Sequence, residues 1–327
     1  MVFFKFSIII PCHKEKEYLI RCVDSVFNQV WMPGNYEIIL VLDRPDFETE
    51  RIARNIGKHE RVIIVYNNLA PGPASSRNVG IVASQGDWII FLDGDDVMTV
   101  DSIKQRSEAL KMFPDANWIV GDFARIDEHD NIFLDSWYST RDIDPKPYYS
   151  AFKSGLPVKI SYPSTVIFEG GMPWTGAVMI NKKAIIDVGL FDNSLLQAED
   201  VNLWIRLMLK YPIVFIPKKL AFYRDRFSSI TKTRTLPYYW SRVSYGKILN
   251  MKSLGIYRDI VFQRLVNFYI GDHWVLRENG DYYFASKLLC SAFVLNPLNI
   301  AILKNLLILS VLMFMNLLGI NFSKLKL

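Results

Sequence analysis

The sequence predicts an α/β fold, a mostly parallel sheet flanked by helices and followed by a C-terminal helical extension. Three observations carry that expectation. Short apolar runs alternate with helical patterns through the first third of the chain, and each run ends in a polar or turn-forming group. From about Leu236 onward the pattern is helical and aromatic, without a second alternation of strands.

Strands are expected at Phe6 to Ile10, Glu37 to Leu42, Val62 to Tyr66 and Trp88 to Leu92, with crossover helices such as Leu19 to Asn28 and Ala74 to Ala83. The groups that follow the strands are Pro11-Cys12-His13, Asp43-Arg44-Pro45, Asn67-Asn68 and Asp93-Gly94-Asp95. Open parallel sheets bind ligands at the carboxyl ends of their strands, so these loops should line one crevice. Residues 117–134 read as two strands around the turn His129-Asp130-Asn131. From Asp135 to Met172 periodicity is lost and Pro, Tyr and Ser accumulate, which suggests a long substrate-shaping lid. "LLQAEDVNLWIRLMLKY" restores helical spacing and puts Glu199 and Asp200 near a first turn, where the macrodipole favours carboxylates. The last apolar segment, Leu306 to Ile320, falls short of the ~20 residues that span a bilayer. It reads as a buried helix or a membrane-surface anchor.

The bulk numbers narrow the function classes. Half of the 327 residues are hydrophobic and 14% aromatic, which excludes disorder for most of the chain. The net charge of +5 is unevenly spread. Residues 87–130 carry eleven acids and four bases, whereas residues 210–258 carry eleven Lys or Arg and one acid, Asp225. That asymmetry suggests a metal centre early and an anionic partner late. The bases are not interleaved as a nucleic-acid module, so nucleic acid is not expected as a partner. Cys12, Cys22 and Cys290 show no zinc spacing and cannot all pair, which fits reduced thiols in a cytoplasmic setting. The opening "MVFFKFSIIIPCHKE" reads as a strand rather than a signal peptide.

"FLDGDD" crowds Asp93, Asp95 and Asp96 behind an apolar strand. Carboxylates held that close raise one another's pKa unless a cation or a ring of donors compensates. A D-x-D turn offers hard oxygen ligands to Mg2+ or Mn2+, shared with substrate phosphates. The calcium-loop pattern is not met, because the turn runs straight into Val97, Met98 and Thr99. Asp43 ends a strand and can accept from a base or ribose edge, or simply start a turn. Arg77, near the start of a crossover helix, can reach a phosphate or a nucleobase carbonyl.

Five ordered stretches, "FSIIIPCHKEKEYLIRCVDSVFNQ", "EIILVLD", "PGPASSRNVGIVASQGDWIIFLDGDD", "VGLFDNSLLQAEDVNLWIRL" and "YRDRFSSIT", resemble the family 2 glycosyltransferases of the A-type (GT-A) fold. The resemblance runs from about Phe6 to Thr231. It implies a GT-A catalytic domain over 1–235, with a nucleotide-binding half of about 1–116 and an acceptor half of about 117–235, and a helical extension over 236–327. By matching position, Pro11, His13, Asp43, Arg77, Asp93, Gly94, Asp95 and Arg226 would contact the nucleotide-sugar donor. Asp95 and Asp93 would hold Mn2+ or Mg2+, Asp200 would be the general base with Glu199 beside it, and Trp174, Thr175 and Gly176 would lie under the acceptor. Transfer in such enzymes inverts the anomeric centre in one displacement.

Two positions depart from the family pattern. Lys14 stands where an Asn is usual, and Arg226 where many relatives carry a histidine that helps to hold the metal. Arginine cannot ligate a cation. The expectation is a metal held by Asp95, diphosphate and water, the alternative being that Arg226 itself contacts the diphosphate. The implied activity is sugar transfer from a nucleotide diphosphate, a UDP-sugar first, to a hydroxyl of a glycan or lipid-linked saccharide in surface polysaccharide biosynthesis. The basic stretch and apolar C-terminus suggest peripheral contact with the inner face of the cell membrane. Weighed against these are a catalytically inactive membrane-associated scaffold and a nucleotidyltransferase, which would want a glycine-rich loop after the first strand.

Overall fold

The computed structural model describes residues 5–31, 36–139, 146–161, 172–226 and 236–317. The chain forms two compact units, Met1–Ser229 and Ile230–Leu327.

In the first unit, β1 (Phe6–Cys12), β2 (Tyr36–Leu42), β3 (Val62–Tyr66) and β4 (Trp88–Phe91) form a parallel sheet in the order β3-β2-β1-β4. These strands are almost wholly apolar because helices cover both faces, and only continuous hydrophobic runs satisfy a sheet buried twice. The covering helices here are α1 (Glu17–Phe27), α2 (Phe47–Ile56) and α3 (Pro73–Ala83). α1 turns Leu19, Cys22, Val23 and Val26 inward at helical spacing. Asp46 caps α2 by accepting from the Thr49 N–H at 2.9 Å.

Beyond β4 the sheet becomes mixed. β5 (Val97–Met98), α4 (Ser102–Met112), β6 (Trp118–Ile126) and β7 (Ile132–Leu134) follow in sequence. β6 and β7 are antiparallel around residues 127–131, the hairpin the sequence suggests. Two further elements, α5 (Lys146–Ser154) and β8 (Val158–Ile160), occupy the stretch expected to be a long lid. That expectation is corrected for the described part of it. Tyr148 and Phe152 pack their rings on Phe215, with centroids 4.2 and 5.6 Å apart, and aromatic burial orders a segment whose sequence shows no period. Residues 140–145 and 162–171 of the lid lie outside the described residues.

Next come β9 (Val178–Asn181), α6 (Lys182–Asp187), α7 (Glu199–Met208) and β10 (Ile213–Arg224). β9 is antiparallel to both β4 and β6, and β10 is parallel to β6. β10 therefore runs in the direction of β4, and its carboxyl end reaches the same edge of the sheet as the ends of β1, β2 and β4. The long ladders of the sheet are parallel, in the nucleotide-binding half and the β6–β10 pair, and shorter antiparallel pairs attach β5, β7, β8 and β9.

The second unit is helical in its described residues: α8 (Tyr239–Leu249), a 3-10 turn at Lys252–Tyr257, α9 (Arg258–Glu278), α10 (Tyr282–Leu295) and α11 (Ile300–Leu317). Val266, Ala292 and Ile302 form one small core, and Ala285, Leu289 and Leu309 another. Its fully buried Asp272 accepts from the Arg242 Nε and the Tyr238 N–H, both at 2.8 Å, so the buried charge is paired. Among the described residues no helix is long and apolar enough to cross a membrane.

Candidate active site

The acidic turn after β4 is held down by a close approach of two loops. A Cβ on Gly94 would come within 2.9 Å of the Glu15 side chain and 3.0 Å of the Pro11 carbonyl, so only glycine lets the turn lie against the end of β1. The His13 N–H donates to Glu15 at 2.5 Å, and the exposed His13 ring meets the Asp43 carbonyl at 2.7 Å. Glu15 joins the acidic cluster without having been expected there. Burial first, then the Asp95 charge, pushes its carboxyl up, against the hydrogen bond from His13.

Each carboxylate of the turn has a donor, and each donor is an arginine. Arg77, near the start of α3, donates to Asp93 at 2.8 Å and to Glu199 at 2.7 Å. Burial alone would lower the Arg77 pKa, but the two carboxylates override it and hold the group above the ordinary arginine value. Arg226, just past β10, pairs with Asp95 at 2.6 Å. Asp96 is fully buried and accepts from the Arg224 N–H at 2.7 Å, which staples the turn to β10. Burial, then the Asp95 and Asp93 charges, push its carboxyl well above the usual range. The Arg224 side chain donates to the Asp95 carbonyl at 2.7 Å and the Asp127 carbonyl at 2.9 Å, and it pairs with Asp130. Arg224 and Arg226, two residues apart, both lie over the Tyr18 ring, at 4.9 and 5.5 Å from its centroid.

A second acidic pair faces this turn from the start of α7. Ala198, immediately before it, has φ 57°, a left-handed conformation that costs an alanine roughly 1–2 kcal/mol. Lys16 and Arg44, at the loops after β1 and β2, are left-handed as well, so strain gathers around one end of the sheet. Glu199 is pushed up to about 7 by burial and then by the Asp200 charge, against the pull of Arg77. Asp200 is raised by burial too, with Arg77 opposing. Its Oδ1 accepts from the Val201 N–H at 2.7 Å, and its Oδ2 has, among the described residues, only Thr175 Oγ1, at 3.4 Å. Among the described residues, the second oxygens of Asp96 and Asp200 are the least engaged: Asp96 Oδ2 has no hydrogen-bond partner and Asp200 Oδ2 has the long contact to Thr175.

The structure brings most of the expected site residues to the carboxyl edge of the sheet. Asp43 is the most fully engaged: its Oδ2 accepts from the Gly72 N–H at 2.7 Å and Ser76 at 3.1 Å, and its Oδ1 from Arg44 at 2.7 Å. It fastens the loop ahead of α3 as well as facing the crevice. Trp174 packs against Phe123 and Tyr223, with centroids 4.9 and 5.4 Å away, and lies over Gly176, where a Cβ would come within 2.2 Å of the indole. It is partly buried, so an edge remains open. Glu15, Tyr18 and Arg224 were not foreseen. The charge of Glu15 in "PCHKE" and of Arg224 in "YRDR" was visible, but neither spacing assigned it to the acidic turn.

The donor set decides how well a divalent cation fits. Asp93 and Asp95 each spend an oxygen on a guanidinium, and among the described residues no three His, Cys, Asp or Glu side chains are grouped to hold a metal ion. An ion at Asp95 would share that carboxylate with Arg226 and sit beside its charge. The arrangement favours guanidinium groups over Mn2+ or Mg2+.

A family model described as Glycosyl transferase family 2 matches residues 7–165, which include β1 to β4, the acidic turn and Arg77. Residues 7–165 belong to glycosyl transferase family 2. The chain is 28% identical over 202 residues to an uncharacterized glycosyltransferase of Haemophilus influenzae, covering 62% of this chain and 61% of that protein. It is also 28% identical over 229 residues to one of Rickettsia bellii, covering 69% of this chain and 30% of that one. The chain thus spans less than two thirds of these relatives' length. Among solved structures, S. aureus TarS 1-349 in complex with UDP-GlcNAc is similar with a TM-score of 0.61 at 17% identity, covering 87% of this chain and 80% of that one. This likeness is one of fold.

Proposed function

We propose that the chain transfers a sugar from a nucleotide-diphosphate sugar, a UDP-sugar first, to a hydroxyl of a glycan or lipid-linked saccharide. One observation carries this reading: the Arg77 guanidinium bridges Asp93, at the end of β4, and Glu199, at the start of α7. The acidic turn and the Glu199-Asp200 pair therefore face one another across a single side chain. A sugar hydroxyl is a poor nucleophile, and a carboxylate within reach must take its proton as the new bond forms. Asp200, with its weak second partner, is suited to that role; Glu199, tied to Arg77, positions it. On the opposite side the arginines meet the charge that develops on the departing diphosphate. A single displacement at the anomeric carbon inverts its configuration. The family membership and the UDP-GlcNAc complex of the fold relative support the choice of donor.

The test is a panel of uridine, guanosine and thymidine diphospho-sugars scored by release of the nucleoside diphosphate, run with the wild type and Asp200→Asn. One donor should turn over and the variant should not. A blank across the panel supports the inactive scaffold instead. Nucleotidyl transfer has less support, since no glycine follows β1 before Gly34.

The second unit supports peripheral membrane contact in the same proposal. Residues 230–327 carry twelve Lys and Arg against four Asp and Glu, although the whole chain is only +5. On α11, Ile300, Leu303, Leu307, Val311 and Phe314 are exposed at three- and four-residue spacing, an apolar stripe with Lys304 beside it. Anionic lipid complements both features. Sedimentation with phosphatidylserine vesicles, lost on Leu307→Glu, supports the contact; equal recovery in the supernatant with and without vesicles refutes it.

A further inference from the structure

We propose that Arg226 supplies, as part of the chain, the positive charge that the donor's diphosphate needs, so that transfer proceeds without a divalent ion. The inference rests on the nucleotide-sugar reading above and concerns how that site handles charge. Three observations converge on it. Arg226 reaches Asp95 at 2.6 Å, with each side chain only 18% exposed, so the acid of the turn best placed for a metal is held by a guanidinium. The Arg226 Nε is buried and has no hydrogen-bond partner among the described residues, leaving a donor unspent there. Arg77 repeats the arrangement at Asp93, whose side chain stays 33% exposed, so two guanidinium groups flank the turn at neighbouring acids.

The chemistry suits arginine. Its planar fork matches a phosphate with parallel N–H donors and carries its charge at every working pH. Asp95 and the Tyr18 ring hold the fork in place, which removes most of the cost of ordering a long side chain when the donor binds. During transfer the acceptor oxygen forms the new bond to the anomeric carbon and gives its proton to Asp200. The bond from that carbon to the diphosphate oxygen breaks, and its electron pair leaves with the nucleoside diphosphate, which gains one negative charge. Arg226 and Arg77 receive that charge. The same logic explains why three acids tolerate one turn: Arg77 and Arg226 pair with Asp93 and Asp95, while burial and the neighbouring charges push the Asp96 carboxyl up.

Calorimetric titration with UDP, GDP and dTDP, in EDTA and then in Mn2+, tests the proposal apart from turnover. The wild type should bind one of them with affinities that agree within about threefold in the two conditions. Arg226→Ala should lose on the order of tenfold to a hundredfold in EDTA, the scale of one lost charge-assisted contact to phosphate. Arg226→Lys, which keeps the charge, should recover part of the loss, and an unchanged melting temperature in both variants shows that the fold persists. Arg226→His, which restores a side chain able to ligate, should bind the nucleotide more tightly with Mn2+ than with EDTA. Binding of the wild type only in Mn2+, or an Arg226→Ala variant that binds as the wild type does in EDTA, overturns the inference and leaves the glycosyltransferase reading standing. No binding of any nucleotide in either condition overturns both.

Discussion

The two acidic regions of the crevice use the same side chains to opposite ends. In the turn after β4, Asp93, Asp95 and Asp96 each have a strong donor, from Arg77, Arg226 and the Arg224 N–H. At the start of α7, Glu199 is tied to Arg77, whereas Asp200 has an N–H of its own turn and a 3.4 Å contact to Thr175. In the proposed function the carboxylates paired with arginines are structural, and Asp200, which faces no guanidinium at hydrogen-bond distance among the described residues, is the reactive one. Arg77 belongs to both regions and couples them.

The comparison breaks most visibly at that shared residue. Arg77→Met strands Glu199 and Asp93 without their cation, and removing one member of a buried ion pair costs about 3–5 kcal/mol. Denaturant unfolding should show a loss of that size; a change below about 1 kcal/mol would mean that the two regions are not joined through it.

A pH profile sharpens the reactive side. Both Glu199 and Asp200 have raised pKa values, Glu199 to about 7, so they keep their protons further up the pH scale than ordinary carboxyls do. A base must be deprotonated, so kcat/KM should fall as pH drops, with the limb above the ordinary aspartate range. The two protons belong to the pair, and Glu199→Gln removes one of them. The limb should then move to lower pH. A limb that stays in place would separate Glu199 from the base.

Smaller effects probe the backbone and the buried acid. Ala198→Gly relieves the left-handed alanine ahead of α7 and should stabilise the fold by up to about 1 kcal/mol, read from the melting curve. Asp96→Asn keeps the acceptor for the Arg224 N–H and removes a carboxyl that burial already disfavours as an anion. It should shift stability by under about 1 kcal/mol and leave nucleotide affinity unchanged.

Much of this was legible in the residues. The apolar runs ending in polar turns located β1 to β4 almost to the residue, because a strand buried on both faces has little freedom in composition. The helix bearing Glu199 and Asp200 followed from its period. What resisted reading depends on pairing across long separations. β9 enters the sheet between β4 and β6 from far along the chain, and α5 is ordered by Phe215 rather than by its own pattern. The partners of the acidic turn were likewise hidden: a crowded D-x-D invites a cation, but only the fold shows that the end of β10 delivers Arg224 and Arg226 to it.

The central division of labour is tested most directly by the turnover and nucleotide affinity of Asp200→Asn. Turnover should fall by about a hundredfold to ten-thousandfold, the scale of a lost general base, while the dissociation constant for the nucleoside diphosphate stays within about twofold. Undiminished turnover, or a loss of nucleotide binding as large as the loss of rate, would contradict the account.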